Sequence, residues 1–314
     1  MNINELLEKT VDTTALSSGG ILSTEQFNKF TDMVVDESVM LKEARVVRMR
    51  SAVAELDKIA TTGRVSQLKT EGVAPGTLST PSFGKVTLTA TGIITPFEIT
   101  FEALEDNIEG GNLEDTVIRV MAKQTATDLE ELAIQGDTES ADPYLGGLDG
   151  WRVLAEAGHV VDFTGDTLDK ATLGTMFRAL PDAYKRNYAD LRYYCAPTAA
   201  QDWHDTFADR GSGAGDESLL SGQVPPYMGV GLVSVPQIPT DCDAVLDYAG
   251  EEELTYCFLT PRENLVFGIH RDIRIEKEKD VLRGVNVYAV TTRVAVEFEE
   301  ADAVVVGVNI AMGE

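Results

Sequence analysis

Three histidines (His159, His204 and His270) and three cysteines (Cys195, Cys242 and Cys257) are the residues of this 314-residue chain best equipped for nucleophilic or metal chemistry. Their spacing makes little use of them. Asp202, His204 and Asp205 fall in one segment, and an acid beside an imidazole could orient a general base. No nucleophile-elbow pattern accompanies them, so His204 reads as a residue on a helix surface. The cysteines are odd in number and widely separated, which argues against a disulfide framework or a zinc site. They read as small buried apolar side chains. Gly211, Gly213 and Gly215 imitate a phosphate loop, but no Lys-Ser/Thr follows and the stretch continues a helix rather than a strand. The carboxylate runs Glu130/Glu131 and Glu251 to Glu253 could hold Na⁺, Mg²⁺ or Ca²⁺ weakly, without EF-hand spacing. The sequence therefore assigns no catalytic residue, no cofactor and no metal ligand. An enzyme with a site spread over several loops stays open as a competing reading.

Charge is the unusual property. Lys+Arg is 26 against 52 Asp+Glu, a net charge of -26. Nucleic-acid binding through a broad cationic face is disfavoured, because phosphate contacts need a local basic excess. The acids are spread along the chain, and arginine outnumbers lysine, 15 to 11. Two readings follow: an ordinary acidic surface, or adaptation to high salt, where a Debye length of ~3 Å at molar ionic strength screens self-repulsion. A halophilic source is the expectation taken. No apolar stretch reaches the ~18 residues that would span a bilayer, so no membrane contact is expected. The first residues, MNINELLEKT, do not resemble a signal peptide.

The elements that could position a functional surface begin with a helical pattern over 25–40, followed by a small basic cluster of Lys42, Arg45, Arg48 and Arg50. Residues 53–95 read as a long two-stranded arm. An outgoing stretch near 60–70 and a returning stretch, KVTLTAT, flank a centre rich in Gly, Pro, Ser and Thr. The returning strand puts Val86, Leu88 and Ala90 on one face and threonines on the other. A lone hairpin is at best marginally stable in water, so its apolar face needs a partner in this chain or in another copy. A long helix is expected over 113–135, capped near Asn112 and stopped by Gly136. Then come a loop-rich stretch over 136–166, a helix over 168–187 kinked at Pro181, a strand at LRYYCA and a helix opening at Pro197. Strands over 265–275, 285–298 and 303–308 close the chain. This mixture, without alternating βαβ units, indicates an α+β fold.

The order of these parts resembles the major capsid proteins of tailed double-stranded DNA viruses, the Hong Kong 97-type capsid fold. The strings that carry the likeness are AIQGDTESADPYLGGLDGW, YYCAPTAAQDWHDT, LLSGQVPPYMGVGLVSVPQIP and the closing region from FLTPRENLVFG to ADAVVVG. The resemblance implies an N-terminal arm over 1–52 and an extended β-hairpin loop over 53–95. It implies a peripheral domain with its spine helix over 96–145, an axial domain over 146–262, long peripheral strands over 263–300 and a final strand over 301–314. It also implies self-assembly into hexamers and pentamers that form an icosahedral shell around double-stranded DNA, without sequence-specific binding.

Further expectations follow from the same resemblance. Lys69, Val73, Pro75, Phe83, Val86 and Leu88 would make contacts between subunits, and Lys42, Arg45, Arg48 and Arg50 would face the interior. Portal, scaffold, protease and decoration proteins are the implied partners, and a fused scaffolding segment ahead of the arm is not expected. Some members link subunits covalently through Lys and Asn. Here Lys69 and Asn309 are the residues available, without the matching motif. An encapsulin-type cellular compartment with the same fold is the main alternative.

Overall fold

The computed structural model describes residues 38–60, 66, 68, 71, 82–102, 113–208, 224–242 and 253–313. The helical pattern expected over 25–37, the Asn112 cap, the GSGAG loop, Glu251, and Lys69, Val73 and Pro75 lie outside the described residues.

The chain enters through a single helical turn, α1 (Met40–Glu43), and a short strand, β1 (Arg45–Arg48). The arm follows as β2 (Val53–Ala60) and β3 (Ser82–Thr89), antiparallel from Val53 opposite Thr89 to Ala60 opposite Ser82. The outgoing strand therefore lies earlier than the sequence expectation of 60–70. The alternation Ala54, Leu56, Lys58 provides its half-buried face.

After only Ala90, β4 (Thr91–Thr100) continues into the main sheet. Gly92 and Pro96 obscure β4 in the sequence. Proline is tolerated there because β4 is the sheet's edge strand.

The long helix α2 (Leu113–Gln135) matches its expectation. Gly136 ends it because a Cβ there would lie 2.5 Å from the Leu148 carbonyl oxygen and 2.6 Å from that of Leu132. The stretch expected to be loop holds a short helix, α3 (Trp151–Ala155), and a strand, β5 (His159–Asp162). The Trp151 indole N–H donates to the Glu297 carbonyl at 3.2 Å and ties this helix to the main sheet.

Helix α4 (Lys170–Ala179) starts in a capping box, with the Asp169 carboxylate accepting from the N–H groups of Ala171 and Thr172. It stops before Pro181, so that proline terminates the helix instead of kinking it. Strand β6 (Leu191–Cys195) and helix α5 (Pro197–Ala208) fall where the sequence places them. Then follow β7 (Gly231–Ser234), β8 (Leu254–Pro261), the 16-residue β9 (Leu265–Asp280), β10 (Val285–Phe298) and β11 (Val305–Ala311).

Among the described residues these strands form two sheets and the arm. One sheet has the order β1-β9-β10-β4 and the other β5-β11-β8-β6-β7. The second is nearly solid with apolar side chains: β8 is buried from Leu254 through Thr260 and β11 throughout, as expected for strands covered on both faces. One buried cluster, from Met40 through Trp151, Tyr193 and Phe258 to Ile310, joins both sheets and the helices. The arm's root has its own small cluster of Met49, Leu88, Val266 and Ala295.

Candidate assembly surface

Among the described residues, the arm is held at its root and exposed farther out. At its root Leu88 is fully buried, packed with Met49, Val266 and Ala295 and flanked by Val47, Ala54, Leu56 and Ala90. Gly268 permits this approach, since a Cβ there would lie 2.7 Å from the Met49 sulfur. Farther out, the Lys58 ammonium donates to the Glu299 carbonyl at 2.7 Å and pairs with the Glu300 carboxylate at 3.1 Å. Beyond that point the described residues lack cover. Ser82 through Lys85 are exposed, Phe83 shows 74% of its surface, and Leu68 shows 99%. Lys85 pairs with Glu55 across the two strands, an exposed contact that contributes little.

Of the three described residues expected to meet a neighbour, only Phe83 is available in full. Val86 is half-buried. Leu88 is a correction: its side chain is covered by its own chain and anchors the ribbon. The sequence showed an apolar face but not what lies against its near half.

The basic cluster lies beside this root. Lys42, Arg45, Arg48 and Arg50 are all exposed, and Arg45 forms an ion pair with Glu299 at 2.9 Å. Asn309 is also corrected as a candidate for covalent linkage. It is 3% exposed, has a left-handed backbone (φ 54) at the irregularity of β11, and its amide donates to the Asp162 carboxylate at 2.9 Å.

A shallow trough of about 400 Å³ lies on the far part of the β9–β10 hairpin, lined by Glu276, Lys277, Glu278, Val287 and Ala289. Its floor is apolar and its rim carries two carboxylates. The hairpin ends in a turn where Asp280 accepts from the N–H groups of Leu282 and Arg283, leaving Val281 largely and Leu282 fully exposed. Ile94 adds a third bare aliphatic on edge strand β4.

The residues considered for chemistry are dispersed. Asp202 accepts the Gly313 N–H at 3.0 Å and so ties down the chain's last described residues. His204 is half-buried and approaches Asp205 at 3.7 Å. His159 and His270 lie on different strands. Glu130 is buried and bonds backbone, which separates it from Glu131 as a cation pair. Among the described residues no group of three His, Cys, Asp or Glu side chains could hold a metal. No described helix is long and apolar enough to cross a membrane.

Comparison with known proteins gives a consistent result. The sequence matches the phage capsid family over residues 19–309. It is 34% identical over 307 residues to YqbE of Bacillus subtilis (strain 168), described as a prophage capsid protein, covering 97% of both chains. The fold matches the procapsid of satellite phage P4 with its size-determination protein, with a TM-score of 0.69 at 14% identity over 100% of this chain and 99% of that one. It also matches the capsid of a native GTA particle, with a TM-score of 0.62 at 15% identity over 88% and 91% of the two chains. The architecture is thus the Hong Kong 97-like one expected from the order of elements.

Proposed function

Because the chain belongs to the phage capsid family, we propose that it works by tiling: copies assemble into hexamers and pentamers that close an icosahedral shell around double-stranded DNA. That it is a structural capsid protein follows from the family. The mode of assembly is our reading, and the half-covered ribbon is the observation that carries it. Leu88 and Lys58 fix the ribbon's root, while Phe83 and its surroundings remain exposed. Burying a phenylalanine is worth roughly 1.5–3 kcal/mol, and a two-stranded ribbon by itself is at best marginally stable in water.

The seat that suits the ribbon is the trough of a second copy. With Lys58 and Lys85 paired within their own chain, residues 59–81 still carry two basic residues, Arg64 and Lys69, against one acidic residue, Glu71, in a chain of net charge -26. The trough offers an apolar floor between Glu276 and Glu278. Lys69, Val73 and Pro75 belong to the same proposed contact.

Lys42, Arg45, Arg48 and Arg50 face the enclosed DNA in this reading. The remaining acidic surface leaves the genome confined rather than bound. The same acidity suits a medium of high ionic strength, where like charges on neighbouring copies are screened; a virus of a halophilic host fits. Portal, scaffold, protease and decoration proteins are the partners this role calls for, and assembly takes place in the host cytoplasm. The family match and the prophage relative favour a virus shell over a cellular compartment.

Negative-stain microscopy of the purified chain, from about 0.1 M to about 2 M salt, tests the proposal. Shells or ring-shaped capsomers, more complete at high salt, support it. Small oligomers at every salt concentration overturn it.

A further inference from the structure

The five-stranded sheet brings together two of the three cysteines. Cys195 on β6 lies directly opposite Cys257 on antiparallel β8. Both are fully buried. Directly opposed residues of an antiparallel pair have Cα atoms roughly 4.5–5.5 Å apart, inside the roughly 4.4–6.8 Å window that a disulfide accepts. Successive strand side chains alternate between faces, so two residues in register point to the same side. Burial first, and the neighbouring Cys195 side chain second, push the Cys257 thiol well above its usual value. Cys242 is held elsewhere, with its N–H on the Leu254 carbonyl and its thiol on that of Pro239.

We propose that Cys195 and Cys257 form a latent cross-strand dithiol that hydrogen peroxide converts into a disulfide inside this sheet. The chemistry balances in two steps. The Cys195 sulfur attacks one peroxide oxygen and the O–O bond breaks. The leaving hydroxide takes up the Cys195 proton as water, and a sulfenic acid remains. The Cys257 sulfur then attacks the sulfenic sulfur, the S–O bond breaks, and hydroxide leaves with the Cys257 proton as a second water. Two thiols lose two electrons in all and one peroxide gains them. The reverse order gives the same disulfide with the same balance. Burial restricts the oxidant to one about the size of water, because a bulky disulfide reagent has no route to sulfurs without exposed surface.

The bond would join two central strands of the sheet and close a loop of about 60 residues. A bridge of that span raises the melting temperature by roughly 5–10 °C.

The test uses the reduced full-length chain, treated with hydrogen peroxide at neutral pH, quenched, denatured, alkylated and digested. The expected product is one linked peptide pair, Cys195 to Cys257, lighter by two hydrogens, with Cys242 alkylated. The melting temperature should rise and return on reduction. Cys257→Ala should stop at a sulfenic acid on Cys195 that dimedone, added together with the denaturant, traps. Full alkylation of all three cysteines, over-oxidation of Cys195 without a link, or a bridge to Cys242 would each overturn the proposal. Because the wild-type digest decides by itself, the outcome does not depend on whether the variant folds, nor on whether the protein forms shells.

Discussion

The carboxylate of Glu130, in the middle of the long helix, accepts the backbone N–H of Met40, ninety residues earlier in the chain. Both residues are buried. The carboxylate also receives hydrogen bonds from the backbone at Val39 and Leu41. One side chain thus caps the helical turn through which the chain enters its body, doing from a distance what an N-cap residue does locally.

That contact has a pH signature. Burial raises the Glu130 carboxyl above its usual value, and the three N–H groups oppose this only in part. A carboxyl raised in the folded state binds its proton more tightly there than in the unfolded chain. Its contribution is fully present below the unfolded value, near pH 4.5, and is lost as pH rises through the folded value. Glu130→Gln removes this slope. Denaturant titrations of both proteins from acid to neutral pH should show the difference shifting in favour of the variant as pH rises. Glu131 and Glu297 are pushed the same way and remain in both proteins, so they cancel. A pH-independent difference would contradict the assignment.

Leu88 is the ribbon's anchor. Leu88→Ala should cost about 2–5 kcal/mol, concentrated at the root. Hydrogen exchange should quicken at the root, across residues 53–56 and 88–89, and change little in the five-stranded sheet. Uniform loss of protection would mean that the small cluster is not a separate anchor.

Phe83 has the opposite character. It is exposed, so Phe83→Asp should move the melting temperature of the dissociated subunit hardly at all, within about 0.5 kcal/mol. The same change should abolish or strongly weaken assembly, read by sedimentation velocity. Normal assembly of the variant would remove Phe83 from the interface.

Gly136 allows no side chain. A Cβ there meets backbone oxygens of Leu148 and Leu132, which cannot move aside as a side-chain tip can. Gly136→Ala should destabilise the chain by about 3 kcal/mol or more, measured by chemical denaturation. Gly150 packs reciprocally, 2.7 Å from the Gly136 nitrogen by the same test, and Gly150→Ala should behave alike.

What the sequence revealed depended on how continuous each local pattern was. The long helix was legible to its last residue because its apolar positions recur at helical spacing on either side of Thr125 and Gly136 stops it. Helix α4 was overextended because Leu180 to Asn187 still carries helix-compatible spacing, although Pro181 denies the preceding residue an α conformation. Strand β8 gave no alternation to read, since both its faces are buried. At the candidate surface the period-two face of Val86 and Leu88 was visible. The division into an anchored half and a free half was not, because Val266 and Ala295, which cover Leu88, lie about two hundred residues away in sequence. The Cys195–Cys257 pairing was hidden for the same reason: register between distant strands is set by the whole sheet.

The central claim is that the ribbon is completed by other copies of the chain. Hydrogen exchange on the amides of residues 82–87, compared between dissociated subunits and the assembled protein, tests it most directly. The account expects rapid exchange in the free subunit and strong protection on assembly, while Leu88 and its neighbours are protected in both. Equal protection in the two states would contradict it, since the ribbon would then be completed by its own chain.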